Sequence, residues 1–250
     1  MGSQALQFNV PSQARGGRGA VARRAVHDVG TYPRCRRIVA ARAAKAGSAP
    51  SKPAEQSGAG SKRRIIMLRH AQADADAQVE RDFDRPLSVV GKENAAKLAK
   101  NLLDKGRPWA PELVLASDSV RSRQTIEELC EANAALKAAA QRSYGSLYTA
   151  AAMDGVTLEH IKELVVQEAE DSVACVLCVG HNRGWEEAAS GLAGRKVRLE
   201  NAWAALLETA TAAETWADAF AGRWALVGIV GPDREIDVEP AGPTAAFPAM

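Results

Sequence analysis

Between residues 62 and 232, short apolar runs alternate with longer stretches in which apolar residues recur every three or four positions. The runs at 64–69, 113–116 and 173–180 are too short for helices of their own and read as buried strands. After the first run, residues 72–85 are polar and acidic without a period, which predicts a loop. Ser88 then has the place of an N-cap, and a helix is expected to about Asp104, with Ala95, Leu98, Ala99, Leu102 and Leu103 on one stripe. Gly106 and Pro108 end it. A second helix is expected from Ser119 to about Ala134, with Val120, Ile126, Leu129 and Cys130 facing inward. Residues 141–149 read as irregular, with room for a short strand. A third helix covers 157–168, with Leu158, Ile161, Leu164 and Val165 on its stripe, and a short fourth covers 184–192. Segments 202–208 and 223–230 read as strands flanking an Ala/Thr-rich stretch that is open to a helix. Strands alternating with helices predict an α/β domain, a three-layer arrangement of a mostly parallel sheet flanked by helices. The last two strands lack a long helix between them, so an antiparallel edge is expected there.

Charge changes the picture at the amino end. The whole chain of 250 residues carries a formal +2, but residues 1–60 hold ten Lys/Arg against Asp28 and Glu55. That balance of +8 leaves −6 on the remainder. A basic, acid-poor, Ala/Arg/Gly/Ser-rich leader without a continuous apolar core has the composition of an organelle transit peptide. Residues 1–60 are therefore expected to be transit peptide and flexible linker, 62–232 the folded domain, and 233–250 a frayed Pro/Ala-rich tail. The mixed leader leans towards the chloroplast, with the mitochondrion as the alternative. An acidic domain argues against nucleic acid as partner, and no run of 18 apolar residues predicts a membrane span. Cys175 and Cys178 form a C-x-x-C, but on a strand residues three apart face opposite ways, so they are expected to pack as small hydrophobes and not to share a metal.

Candidate chemistry gathers at three strand ends. The first strand runs into Arg69 and His70, the second into a helix whose first turn carries Arg121, and the strand 173–180 into His181. In an open α/β sheet these ends share the edge where ligands bind. Two arginines and two histidines there make an anion site, since the guanidinium fork suits phosphate oxygens. Phosphoryl transfer asks mainly for positioned cations, and a neutral imidazole is a competent nucleophile. No phosphate-cradling G-x-x-x-x-G-K-[ST] loop occurs. Nothing in the spacing calls for a metal, and no cofactor is expected. His160 beside Glu159 reads as a surface residue, and Trp185 as either a pocket wall or core.

Four segments carry a resemblance. Leu68-Arg69-His70-Ala71, Ser117-Asp118-Ser119-Val120-Arg121-Ser122-Arg123-Gln124-Thr125, Gly180-His181-Asn182 and Asp84-Arg85-Pro86-Leu87-Ser88-x-x-Gly91 stand in the order and spacing of the histidine phosphatase superfamily. The chain resembles its short SixA-like branch, the phosphohistidine phosphatases, over about residues 63–231. The resemblance implies a phosphoglycerate mutase-like fold, His70 as nucleophile carrying a transient phosphohistidine, and Arg69, Arg121, His181 and Asn182 around the phosphoryl oxygens. It also implies a phosphorylated protein or small phosphorylated molecule as partner and a monomer as the working form. Asp118 and Arg183 replace prolines of the pattern. No carboxylate follows Leu147-Tyr148-Thr149-Ala150 until Asp154, so the usual donor of a proton to an alkoxide leaving group is missing. That suits a phosphoramidate, whose imidazole departs protonated. Glu80, Asp82 and Asp84 on the loop remain as other proton sources. A small-molecule phosphomonoesterase or mutase, or a silent phospho-ligand binder, are the other readings.

Overall fold

The computed structural model describes residues 60–237. The expected leader and the last thirteen residues lie outside the described residues. The strands are β1 Arg64–Arg69, β2 Leu113–Ser117, β3 Ala140–Tyr144, β4 Cys175–Gly180, β5 Ala204–Thr209, β6 Trp224–Val230 and β7 Glu235–Asp237. The helices are α1 Val89–Asp104, α2 Val120–Ala132, α3 Ala134–Ala138, α4 Gly145–Ala150, α5 Thr157–Glu168, α6 Asn182–Ala193 and α7 Trp216–Ala221. The seven strands form one sheet in the order β3-β2-β4-β1-β5-β6-β7. β3, β2, β4 and β1 run parallel, and β5, β6 and β7 are added antiparallel.

Side-chain alternation along the strands divides the core into two layers. Ile66, Leu68, Val114, Ala116, Leu177 and Val179 pack against Ala95, Leu98, Ala99 and Leu102 of α1 and Ile126 and Leu129 of α2. Ile65, Met67, Leu115, Val176 and Cys178 face Ile161, Leu164 and Val165 of α5, Trp185 and Ala188 of α6, and Trp216 of α7. Every residue of β4 is buried, the mark of a strand covered on both faces. Cys175 and Cys178 lie in opposite layers, both reduced and buried, and burial pushes each thiol up to about 12. No cluster of metal-ligating side chains is present among the described residues.

The strand and helix expectations hold at β1, α1 and α5, whose bounds match. Elsewhere the details differ. The second helix ends at Ala132, short of the expected Ala134, and Asn133 caps a separate α3 over 134–138. Leu103 is 53% exposed, because a fifth position on the stripe lies beyond the arc that faces the sheet. The irregular stretch contains both β3 and α4. β3 reads Ala-Gln-Arg-Ser-Tyr and is largely exposed at the sheet edge, so it lacks the apolar signal of a core strand. The Ala/Thr-rich segment between β5 and β6, left open to a helix by its sequence, does contain one, α7, entered through a capping box of Thr215 and Asp218. The sheet also continues through β7, five residues beyond the domain end expected at 232. Ile236 there pairs with Ile229 of β6.

One close approach fixes the carboxyl end of β4. A Cβ on Gly180 would meet the Trp185 ring at 2.2 Å, and that ring is fully buried with its Nε1 donating to the Cys178 carbonyl at 3.0 Å. Trp185 is therefore core and not a pocket wall. Gly180→Ala is expected to destabilise the domain by about 1–3 kcal/mol through overpacking, read as a lower urea midpoint. An unchanged midpoint would show that the turn into α6 yields without cost.

Candidate active site

His70 is the residue after β1, and its backbone is held from three sides. Its N–H donates to Gly180 O at 2.9 Å, and its carbonyl accepts from Ala202 N at 3.2 Å and Asn201 Nδ2 at 3.3 Å. The side chain is only 8% exposed. Nδ1 lies 2.7 Å from the Ala71 carbonyl. A carbonyl oxygen only accepts, so Nδ1 carries the proton and Nε2 carries the lone pair. Arg121 Nε donates to that Nε2 at 3.1 Å. Burial, followed by the charges of Arg121, Arg69 and Arg85, pushes the His70 pKa down to about 4 against the opposing pull of the Ala71 carbonyl. The imidazole is neutral at physiological pH.

Arg121 stands in the first turn of α2, 5% exposed. Nη1 donates to the Asp82 carbonyl at 2.5 Å and Nη2 to Asp82 Oδ2 at 2.8 Å. Nη2 also lies 3.4 Å from His181 Nδ1. With Nδ1 accepting, the His181 Nε2–H donates to Ser117 Oγ at 2.8 Å. Burial, the adjacent His70 and Arg121 push the His181 pKa down to about 3, with Asp82 opposing. The two imidazole rings meet edge to face with centroids 5.1 Å apart. Tyr148 of α4 closes the group from the side, 4.9 Å from the His181 ring and with its hydroxyl donating to Asp82 Oδ2 at 3.2 Å.

The motif residues around this cluster hold it in place. Ala71 N donates to Thr125 Oγ1 at 3.0 Å, and that hydroxyl donates to the Arg121 carbonyl at 2.7 Å. Gln124 Oε1 accepts from Leu87 N at 2.7 Å, which ties the loop after β1 to α2. Ser88 caps α1 through Gly91 N at 3.0 Å and donates to the Gln72 carbonyl. A Cβ at Gly91 would meet the Gln72 carbonyl oxygen at 2.1 Å, so a side chain there would push the loop outward. The Arg85-Pro86-Leu87-Ser88-x-x-Gly91 segment is thus a clasp on the loop.

The structure brings together three of the expected site residues, His70, Arg121 and His181. Arg69 lies beside them, its charge lowering both histidine pKa values, but its Nη1 donates to the Leu199 carbonyl at 2.9 Å. Asn182 opens α6 on the exposed surface and makes no hydrogen bond within the cluster. Arg85, a member of the motif that follows the loop, pairs with Asp82. Asp118 packs against Gly145 with its Oδ1 buried and unpartnered, and burial raises its pKa. Sequence reasoning missed Tyr148 and Ser117 as members of the cluster. Ser117 ends β2 beside His181, a placement that strand order alone would have supplied. Tyr148 sits on a helix reached through a polar edge strand, and no local pattern announces it.

Residues 65–142 match the model of the histidine phosphatase superfamily, branch 1. The chain is 41% identical over 180 residues to an uncharacterized chloroplastic protein of Arabidopsis thaliana, covering 70% of this chain and 81% of that one. The chain belongs to the histidine phosphatase superfamily. Its fold is similar to that of SixA from Nakamurella multipartitia, with a TM-score of 0.54 at 22% identity over 74% of this chain and all of that one. SixA from Agrobacterium tumefaciens is similar at TM-score 0.51 and 25% identity, over 67% of this chain and 97% of that one. The protein histidine phosphatase SixA solved with tungstate gives 0.52 at 22% identity, over 68% and 97%.

The neutral, buried His70 has a consequence for stability. Its folded pKa of about 4 lies below the ordinary 6.5, so the unfolded chain binds the extra proton between those values. Stability contributed by this group is present above pH 6.5 and is lost as pH falls towards 4, by an amount of order 3 kcal/mol. Urea midpoints measured at pH 7 and pH 4.5 should fall further for the wild type than for His70→Asn. Equal losses in the two proteins would mean that His70 titrates normally in the fold.

Proposed function

We propose that this chain is a cofactor-independent phosphatase that works through a phosphohistidine on His70 and takes phosphohistidine in proteins as its substrate. The observation that carries this reading is the tautomer. The Nδ1–H bond to Ala71 leaves a neutral Nε2 lone pair beside the Arg121 guanidinium. An imidazole fixed in this way needs no base to become a nucleophile.

In the proposed reaction Nε2 attacks phosphorus, the bond from phosphorus to the leaving group breaks, and the phosphoryl group rests on His70. The Arg121 fork, with Arg69 nearby and His181 alongside, stabilises the charge that spreads over the equatorial oxygens. Water then attacks the phosphohistidine, inorganic phosphate leaves and Nε2 regains its lone pair. The roles of Arg69 and Asn182 at the oxygens are part of the proposal. Arg69 needs to release the Leu199 carbonyl to reach them.

The leaving-group side supports a phosphoramidate. The carboxylate in the cluster is Asp82. Burial pushes its carboxyl up, but Arg121, Arg85 and the Tyr148 hydroxyl outweigh that and hold it below the usual carboxylate range. A carboxylate so held is a poor acid, whereas an imidazole leaving group carries its own proton. The fold likeness to SixA proteins agrees with this choice. The alternative is a small-molecule phosphomonoesterase or mutase, for which Asp82 would need to be protonated. The basic composition of residues 1–60 and the chloroplastic relative support delivery to the plastid. The folded domain, with the sheet continued through β7, is the catalytic unit of this proposal, and a monomer is its proposed working form.

Turnover of phosphoramidate and of an aryl phosphate by the full chain tests the reading. The phosphoramidate is expected to be the better substrate, and His70→Ala is expected to lower turnover of both by about three orders of magnitude or more. A clear preference for the ester would count against phosphohistidine as substrate. Substantial turnover by His70→Ala would remove the nucleophile.

A further inference from the structure

The loop after β1 does more than border the cluster. Its single 3-10 turn, Asp82–Asp84, presents one residue to Arg121. A guanidinium has five N–H donors. In Arg121 one is directed at His70 Nε2, one at the Asp82 carbonyl, one at Asp82 Oδ2 and one at His181 Nδ1. The same Asp82 carboxylate receives the Tyr148 hydroxyl and, on its other oxygen, Arg85. Two arginines and a phenol thus converge on a pair of carboxylate oxygens, and one of those arginines, Arg121, also donates to His70 Nε2. That is the donor set a phosphoryl group requires.

The geometry points to Asp82 as an internal competitor for the phosphoryl site: its carboxylate occupies the position of two phosphoryl oxygens, and substrate binds by displacing it from Arg121. This rests on the phosphatase reading for the identity of the displacing group. The placement suits exchange. Arg121 is almost completely buried, while the Asp82 side chain is half exposed on a surface turn. An ion pair with one partner in water is weak enough to be broken by a dianion. The device has a chemical use. It keeps a buried guanidinium paired when no substrate is bound, since an unpaired buried charge is costly. It also makes a doubly charged phosphoryl group a better occupant than singly charged anions.

If Asp82 closes the site nine-tenths of the time, the apparent affinity for phosphate is lowered about tenfold. Calorimetric titration of the full chain with inorganic phosphate tests this. Asp82→Asn keeps the size of the side chain and removes the charge, and it is expected to bind phosphate about tenfold more tightly than the wild type. Asp84→Asn removes an equal charge from the same turn, where the carboxylate pairs with Arg81 and, among the described residues, with no group of the cluster, and it is expected to bind like the wild type. Equal or weaker phosphate binding by Asp82→Asn overturns the proposal, as does an equal gain in Asp84→Asn, which would reduce the effect to general charge repulsion. A KM kept at the wild-type value with turnover lowered more than tenfold in Asp82→Asn would make the carboxyl a proton donor and likewise overturn it. Absence of turnover in every form, with the Asp82→Asn gain still measured, would remove the phosphatase reading and leave the competitor in place.

Discussion

The structure turns on one hydrogen bond, from His70 Nδ1–H to the carbonyl of the next residue. It selects the tautomer, and the tautomer decides what the site can do. For that bond to form, the backbone at 70 and 71 must not move. Its position in the sheet secures this. β1 lies between β4 and β5, so the chain leaving it is gripped by Gly180 on one side and by Asn201 and Ala202 on the other. Ala71 is held in turn by Thr125. A central strand, two neighbours and one helix thus fix a single imidazole.

Burial then sets its charge. The same enclosure that orients His70 removes the water that would solvate an imidazolium, and the nearby guanidinium groups act in the same direction. Orientation and neutrality therefore have one cause. The cost is a buried Arg121 that requires a partner, and the loop after β1 supplies it with Asp82. The clasp formed by Gln72, Ser88 and Gly91 keeps that loop at the mouth of the site.

Much of this was legible in the sequence, for reasons that can be stated residue by residue. Ile65 to Leu68 is an uninterrupted apolar run because both faces of β1 are covered. Ser88 and the stripe through Leu98 and Leu102 announce α1 because a cap and a period of 3.6 are local properties. His70, Arg121 and His181 could be placed on one edge because each follows a recognisable strand. β3 was legible only as room for a short strand, because an edge strand needs no apolar face, and α4 with Tyr148 behind it carried no signal of its own. The link between Asp82 and Arg121 joins residues 39 positions apart. No pattern in either segment encodes which of the five loop acids makes it. Arg69 shows the converse: its neighbour in sequence is the proposed nucleophile, yet its guanidinium is turned to Leu199.

Everything proposed for this site requires Nε2 of His70 to accept a phosphoryl group. Rapid quenching of the protein with a phosphoramidate donor, followed by mapping of the modified peptide under alkaline conditions that preserve a P–N bond, tests it directly. One phosphoryl group is expected, on His70, lost on acidification. A phosphoryl group on His181 or on a serine, or an acid-stable adduct, would contradict it.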